Sequence, residues 1–353
     1  MATSYGTLQV LDTQAANQTI AQFGEDRAFA AIQANLDAHN MIVREMIGDL
    51  VDPTVDRQRR YGGVAEGEMV EVDEYGTADA QKIAAGVTVG FPMRLFQYSI
   101  QWTRLYMMNR TVAELDAQYV AARTADIRNI QRQIKRALFT PTNNLAYIDR
   151  LVDNVNVPLR ALVNADGTAI PNDPYGQPFD SSTHTHYLAT TTLTEAAALN
   201  VVETVVEHGF GVGVRLYINR ASEATFRAFS NFTPYFDMRI QPGANERTAP
   251  GRTLDMGTMY NRAIGIFGPA EVWVKPWVPS GYLFCFDAAS PLKPLVLRTR
   301  DGGLAGDLTI AADHEHYPLR AQTMDREFGI GVWNRTNGAV LYVGGATYTA
   351  PTI

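Results

Sequence analysis

The chain has 353 residues, above the roughly 250–300 at which single hydrophobic cores stop growing, so one small domain is excluded and at least two packed regions are expected. With 46% apolar and 19% charged residues, and 28 glycines and 17 prolines in no periodic arrangement, it is neither disordered nor collagen-like. A net charge of -7 excludes a protein that grips nucleic acid over its whole surface, and a lone cysteine, Cys285, excludes an internal disulfide or a cysteine zinc site.

The opening residues, MATSYGTLQV, carry neither a basic nor an apolar secretory pattern. No uncharged apolar run approaches the ~20 residues of a membrane span, so no membrane partner is expected. Residues 1–56 begin polar and continue with Phe29, Ile32, Leu36, Met46 and Leu50 at helical spacing, which reads as an N-terminal arm. Between Arg57 and Leu95, EGEMVEVDEYG and AGVTVGF alternate apolar with polar positions, the pattern of a hairpin. Its strands carry few large apolar side chains, and an isolated two-stranded ribbon is marginal in water, so it needs a partner.

Phe96, Tyr98, Ile100 and Trp102 then keep a strict period of two, predicting a half-buried strand. The period changes at Thr111, which stands three before Glu114 in capping-box spacing, and Pro141 supplies the stop for a helix over 112–139. At 1.5 Å per residue that helix is roughly 42 Å long. Projected at ~100° per residue, Val112, Tyr119, Val120, Ile127, Ile130, Ile134 and Leu138 share one arc, with Arg128, Arg132, Lys135 and Arg136 nearly opposite. Asp116 and Arg123 fall inside the apolar arc two turns apart, where they pair with each other or meet charges of another element.

VNADGTAIPNDPYGQPFDSST is too polar and too rich in Pro and Gly for a regular element and reads as a surface excursion. A helix at TEAAALNVVETVVEHG, a strand at VRLYIN, a helix at ASEATFRAF and strands at AIGIFG, EVWVKPW and GYLFCFD follow as an α/β layer. REFGIGVWN and GAVLYVGG flank Asn337-Gly338 and read as a closing hairpin.

His184 and His186 in THTH, with Asp313, His314, Glu315 and His316 in DHEH, group metal-ligand residue types, and alternate positions on an extended segment point the same way. The spacing matches no ordered zinc signature, so no metal and no cofactor is expected. GFGVG follows a helix and precedes a strand, the reverse of the dinucleotide-binding order, and reads as a helix cap. Without GxxxxGK[ST], GxSxG or a Cys–His pairing, no catalytic residues are expected and the chain is not read as an enzyme.

The order of these elements, with WTRLYM at 102–107, RQIKRALFTP running into Pro141, THTHYLA at 183–189, LYINRASEATFRAF at 216–229 and REFGIGVWNRTNGAVLYVGG near the end, resembles the tailed-phage major capsid proteins from about residue 55 onward. The resemblance implies an α+β chain with the capsid fold named for the phage Hong Kong ninety-seven. Its parts would be an N-terminal arm (1–56), an E-loop hairpin (57–95), a P-domain (96–160 and 311–353) with its spine helix at 112–139, and an A-domain (161–310). The implied function is structural: pentamers and hexamers of the chain tile an icosahedral virion head around double-stranded DNA, assembled in the host cytoplasm. The implied partners are other copies of the chain, a scaffolding protein, the portal, decoration proteins, and packaged DNA through weak non-specific contact.

On this reading Arg57, Arg59, Arg60, Glu68, Glu71, Asp73 and Glu74 are candidates for contact with a neighbouring subunit. Arg128, Arg132, Lys135 and Arg136 are candidates for the face turned to the lumen. Lys82 lies where a few relatives carry a cross-linking lysine, but no cross-link is expected of it. The alternative is an encapsulin-like nanocompartment shell enclosing a cargo enzyme; such chains are usually shorter and lack the excursion at 163–183.

Overall fold

The computed structural model describes residues 17–61, 69–77, 86–235, 256–258, 261–300 and 306–353; Glu68 and Lys82 lie outside the described residues. In chain order the first elements are α1 (Ile20–Phe23), α2 (Glu25–Ile47), β1 (Val51–Thr54), β2 (Gln58–Tyr61), β3 (Val87–Gly90), β4 (Arg94–Thr103), α3 (Arg104–Asn109), α4 (Val112–Phe139), β5 (Asn144–Ile148) and β6 (Asn156–Leu159). They are followed by β7 (Tyr187–Thr190), α5 (Glu195–Val206), β8 (Val214–Ile218), α6 (Glu223–Arg227), β9 (Phe232–Pro234), β10 (Met256–Thr258), β11 (Asn261–Phe267) and β12 (Ala270–Val274). β13 (Tyr282–Asp287), β14 (Leu295–Arg298), β15 (Thr309–His316), β16 (Leu319–Val332) and β17 (Ala339–Val343) close the chain.

Among the described residues two sheets organise the molecule. The smaller is built on the long strand β16, whose first ten residues pair antiparallel with β4 and whose last four pair with β14; β15 flanks its other edge and β1 extends β14 in parallel. The larger runs β10-β11-β12-β8-β13-β17-β7, with β9 added on β11.

The long helix α4 forms where the sequence places it. Thr111 Oγ1 accepts from Glu114 N at 3.3 Å and Glu114 Oε2 accepts from Thr111 N at 2.9 Å, so two amides of the first turn that no helical carbonyl reaches are satisfied reciprocally. Val112, Leu115 and Tyr119 pack with Ile100 and Trp102 of β4, and Ile130, Ile134 and Leu138 pack with Phe328 and Ile330 of β16 and Phe284 and Phe286 of β13. The helix is therefore a shared wall of both sheets, not of the smaller alone. Two arc positions behave differently from the rest: Val120 is exposed, and Ile127 is half-buried against the core. Asp116 and Arg123, which interrupt the arc, are buried and lie 3.5 Å apart, an internal pair on the helix. Ile130 is 1% exposed, so Ile130→Ala removes core contacts and leaves a cavity; an equilibrium denaturation curve is expected to show a loss of about 2–5 kcal/mol.

The helical spacing read in residues 1–56 forms the 23-residue helix α2, which buries Ala28, Ile32, Leu36, Val43 and Ile47 against its own chain beside α4. Two expectations need correction. Residues 69–77 form no strand; Asp73 O accepts from Gly76 N in a turn, and every residue there is exposed. The closing hairpin does not form, because β16 stays in the smaller sheet whereas β17 pairs antiparallel with β13 and parallel with β7 in the larger one. Asn337 is not a turn residue at the surface but wholly buried: its amide accepts from Asp287 N at 2.8 Å and donates to Leu292 O at 2.7 Å. That bonding spends the polar side chain on the crossing between sheets. Residues 339–343, assigned to the P-domain with 311–353, thus lie in the sheet of the expected A-domain.

The excursion after residue 162 is irregular yet anchored. Arg335, 1% exposed, donates to Ala161 O at 2.8 Å, to Asn164 Oδ1 at 2.8 Å and to Asp166 Oδ2 at 2.9 Å. Burial alone would raise the Asp166 carboxyl, but Arg335 and the hydrogen bonds from Arg335 and Thr168 outweigh it and hold the group at about 2. An unfolded aspartate titrates near 3.9, so the unfolded chain takes up this proton first. The carboxylate then contributes roughly 2 kcal/mol above about pH 4, and that contribution is lost as the pH falls through about 2. Asp166→Asn is expected to flatten the acid limb of the stability–pH curve over that window.

At Gly329 the segment leaving β3 crosses β16 so closely that a Cβ would stand 1.7 Å from Pro92 O. Any side chain there displaces backbone, which fixes where the hairpin leaves the sheet.

Candidate assembly interfaces

The hairpin root is set by β2 and β3, paired antiparallel with Gln58 opposite Gly90 and Tyr61 opposite Val87. Tyr61, Val89 and Phe91 form a small core with Val296 of β14, and Tyr61 and Phe91 both meet the Trp333 ring edge-on. The root is therefore packed on its own chain, contrary to the expectation that the hairpin buries little there.

The candidate contact residues divide accordingly. Arg57 lies 2.8 Å from Asp153 and 3.6 Å from Oδ2 of the fully buried Asp149, the same oxygen that pairs with Arg298 at 2.8 Å. Arg59 binds Asp52 at 3.0 Å, Asp56 at 2.8 Å and Thr54 Oγ1 at 2.7 Å, and its guanidinium stacks over Trp333. Both guanidiniums are thus committed to pinning the root, because carboxylates of β1 and of the β5–β6 connection reach them first. Arg60, Glu71, Asp73 and Glu74 remain exposed, with Asp73 Oδ1 accepting from Tyr75 N at 3.1 Å. Beside them stand Met69, Val70, Val72 and Tyr75, large apolar side chains at the surface, with Tyr75 90% exposed. The sequence showed Met69 and Val70 only as one half of an alternation; without a strand there is no buried face to receive them.

The second surface is the outer face of α4. Arg128, Arg132 and Arg136 are exposed and Lys135 is half-buried, on the side opposite Ile130, Ile134 and Leu138. None of the four forms an ion pair among the described residues. Partial burial, with Arg94 and Arg132 nearby adding to it, pushes the Arg136 guanidinium below its ordinary value. At the helix end Arg136 shares a groove with Arg94 and Arg160.

The histidines fall out differently from their sequence pairing. His184 and His186 do turn the same way, but Asp313, His314, Glu315 and His316 lie on β15 and do not join them; the residue that does is His208, just beyond α5. Its only sequence cue is EHG at a helix end.

No family model matches the chain, and no curated protein matches it in sequence. Among solved structures, one of Mycobacterium phage Patience superposes with a TM-score of 0.66 at 21% identity, covering 94% of this chain and 90% of that one. A capsid asymmetric unit of cyanophage A-1(L) gives a TM-score of 0.49 at 11% identity, covering 85% and 93%. An encapsulin complex from Synechococcus elongatus gives 0.45 at 11% identity, covering 88% and 91%. The first establishes that the chain has that phage protein's fold nearly end to end, which is the α+β capsid fold expected from the sequence. The other two likenesses carry no argument between a phage head and an encapsulin.

Proposed function

We propose that this chain is the major capsid protein of a tailed double-stranded DNA phage, and that copies of it form the pentamers and hexamers of an icosahedral head. The observation that carries the reading is the fold shared over nearly the full length of both chains with a phage structure. The ordered sequence segments from residue 55 onward support it independently. The four large apolar side chains exposed within 69–77 support it physically, since so many in one short stretch gain most from being covered by a second surface. That surface is a neighbouring copy of this chain, with Arg60, Glu71, Asp73 and Glu74 as the charged rim and Arg57 and Arg59 holding the root rigid.

On this reading the arm, E-loop, P-domain and A-domain are those set out from the sequence, with 339–343 counted in the larger sheet. The chain has a structural role and performs no catalysis. It is located in the virion, after assembly in the host cytoplasm with whatever scaffolding, portal and decoration proteins the phage supplies. The test is expression of the full chain, alone and with the products of neighbouring genes, followed by negative-stain electron microscopy. Closed shells with portal and terminase genes beside the gene support the phage reading; shells filled with a co-encoded enzyme overturn it in favour of a nanocompartment.

The cationic face of α4 is then a lumenal surface that meets DNA phosphates or acidic scaffold segments. Replacing Arg128, Arg132, Lys135 and Arg136 together by Gln removes four positive charges without touching the buried arc. Subunit melting is expected to stay within about 1 kcal/mol, because exposed charges contribute little to folding. DNA retained per particle is expected to fall and to lose part of its salt dependence, since fewer counterions are released per contact. Unchanged DNA content in the variant contradicts the assignment.

A further inference from the structure

We propose that His184, His186 and His208, with Glu207, form a zinc site that staples the long excursion of the chain to the end of α5. Three Nε2 atoms converge: His184 to His186 at 3.2 Å, His184 to His208 at 3.1 Å, and His186 to His208 at 3.0 Å. Tetrahedral ligation at about 2.0–2.1 Å separates ligand nitrogens by about 3.3–3.4 Å, so the triangle is within a few tenths of an ångström of a zinc tripod. A point about 2.0–2.1 Å from all three nitrogens lies about 1 Å off their plane. Glu207 Oε1, 3.5 Å from His184 Nε2, completes the set, and all the ligand atoms lie within 4.8 Å of one another.

The proton inventory points the same way. His186 is wholly buried and its Nδ1 stands 2.7 Å from Gly338 O, an acceptor only, so the ring proton is on Nδ1 and Nε2 presents a bare lone pair to the cluster. Neutral rings crowded nitrogen to nitrogen have at most one proton to share per contact and lone pairs to spare; a divalent cation satisfies all of them at once. His208 Nδ1 is a buried polar atom without a hydrogen-bond partner, so the polar contacts of that ring are made at Nε2 alone. Phe179 lies against both the His184 and His208 rings at centroid distances of 4.8 and 4.2 Å and closes one side to water.

Three imidazoles and a carboxylate form a borderline donor set that suits zinc and disfavours calcium or magnesium. With all four positions taken by protein the site is structural. The three elements it joins are otherwise held by separate contacts: the end of the excursion at 184–186, the residues after α5, and Gly338 at the crossing into β17. The sequence alone predicts no metal here, and the site does not depend on the chain building a shell.

The test uses the full-length chain, stripped with a chelator, dialysed against zinc chloride and analysed by mass spectrometry for bound metal. The expected result is one zinc per chain, a higher melting temperature with zinc than with chelator, and, on cobalt substitution, the visible bands of a four-coordinate site. His208→Ala and, separately, the half-exposed His184→Ala are expected to lose the zinc, whereas a His314→Ala, His316→Ala double variant keeps it. The cobalt spectrum of the unaltered chain decides the matter if either cluster variant fails to fold. Failure of the unaltered chain to retain zinc, an octahedral cobalt spectrum, or full zinc retention in His184→Ala overturns the proposal.

Discussion

Replacing Met69, Val70, Val72 and Tyr75 together by Ser is expected to abolish particles while leaving a folded subunit. In the single chain these side chains are exposed, so the change takes nothing from either core and leaves the circular dichroism melt in place. On the proposed reading a neighbouring copy covers each tip, and burying a large apolar side chain contributes about 1.5–3 kcal/mol, so four of them per subunit would amount to several kcal/mol per contact. With that contact repeated at every subunit, its loss would compound around a ring. Sedimentation velocity should show subunits or small rings in place of shells. Shells at wild-type yield would show that the tip faces solvent in the particle and that assembly rests on other surfaces.

The largest expected effect on folding is at Asp126. This buried carboxylate lies 2.8 Å from His39 Nε2 on α2 and 3.0 Å from Arg326 Nε on β16. Arg326 also donates to Asn40 Oδ1 at 2.6 Å, and Asn40 in turn accepts from Leu308 N at 2.9 Å and donates to Leu308 O at 3.1 Å. One aspartate therefore ties α2, α4 and the smaller sheet through groups that are each under about a tenth exposed. Burial already pushes the Arg326 guanidinium below its ordinary value against the pull of Asp126. Asp126→Ala removes the nearest counter-charge, leaving Arg326 in the core with only the more distant pull of Asp307, and removing a buried partner costs about 3–5 kcal/mol in comparable sites. Urea denaturation should show the midpoint falling with little change in slope. A loss under about 1 kcal/mol would mean that Asn40 and water suffice for Arg326.

Those two cases mark how far the sequence reaches. Helix α4 was legible because its signals are local: the Thr111–Glu114 capping box, the apolar arc and Pro141 all lie within one stretch. The strand β4 was legible for the same reason, its period of two surviving as buried Ile100 and Trp102. What failed was non-local. Nothing between Trp333 and Gly338 says that the next strand pairs with β13 and β7; an Asn-Gly pair supports a turn locally, and only the bonds from Asn337 to Asp287 and Leu292 explain why it is buried instead. Arg57 and Arg59 read as free rim charges because their partners, Asp149, Asp153 and Asp52, are brought in by folding. His184 and His186 were visible as a pair, but His208 is 22 residues beyond His186 and joins them only through the packing of α5 on the larger sheet. His314 and His316, the other histidines of metal-ligand type in the sequence, lie on β15 and stay apart from this group.

The central claim is that this chain builds a closed shell in which residues 69–77 lie on a neighbouring copy and the cationic face of α4 looks inward. A cryo-electron microscopy reconstruction of particles formed by the full-length chain tests it most directly. The account predicts rings of five and six copies on an icosahedral lattice, density for Met69, Val70, Val72 and Tyr75 against the adjacent subunit, and Arg128, Arg132 and Arg136 on the lumenal wall. A chain that stays monomeric under all assembly conditions, or a particle with the tips in solvent and the α4 cations on its outer surface, would contradict it.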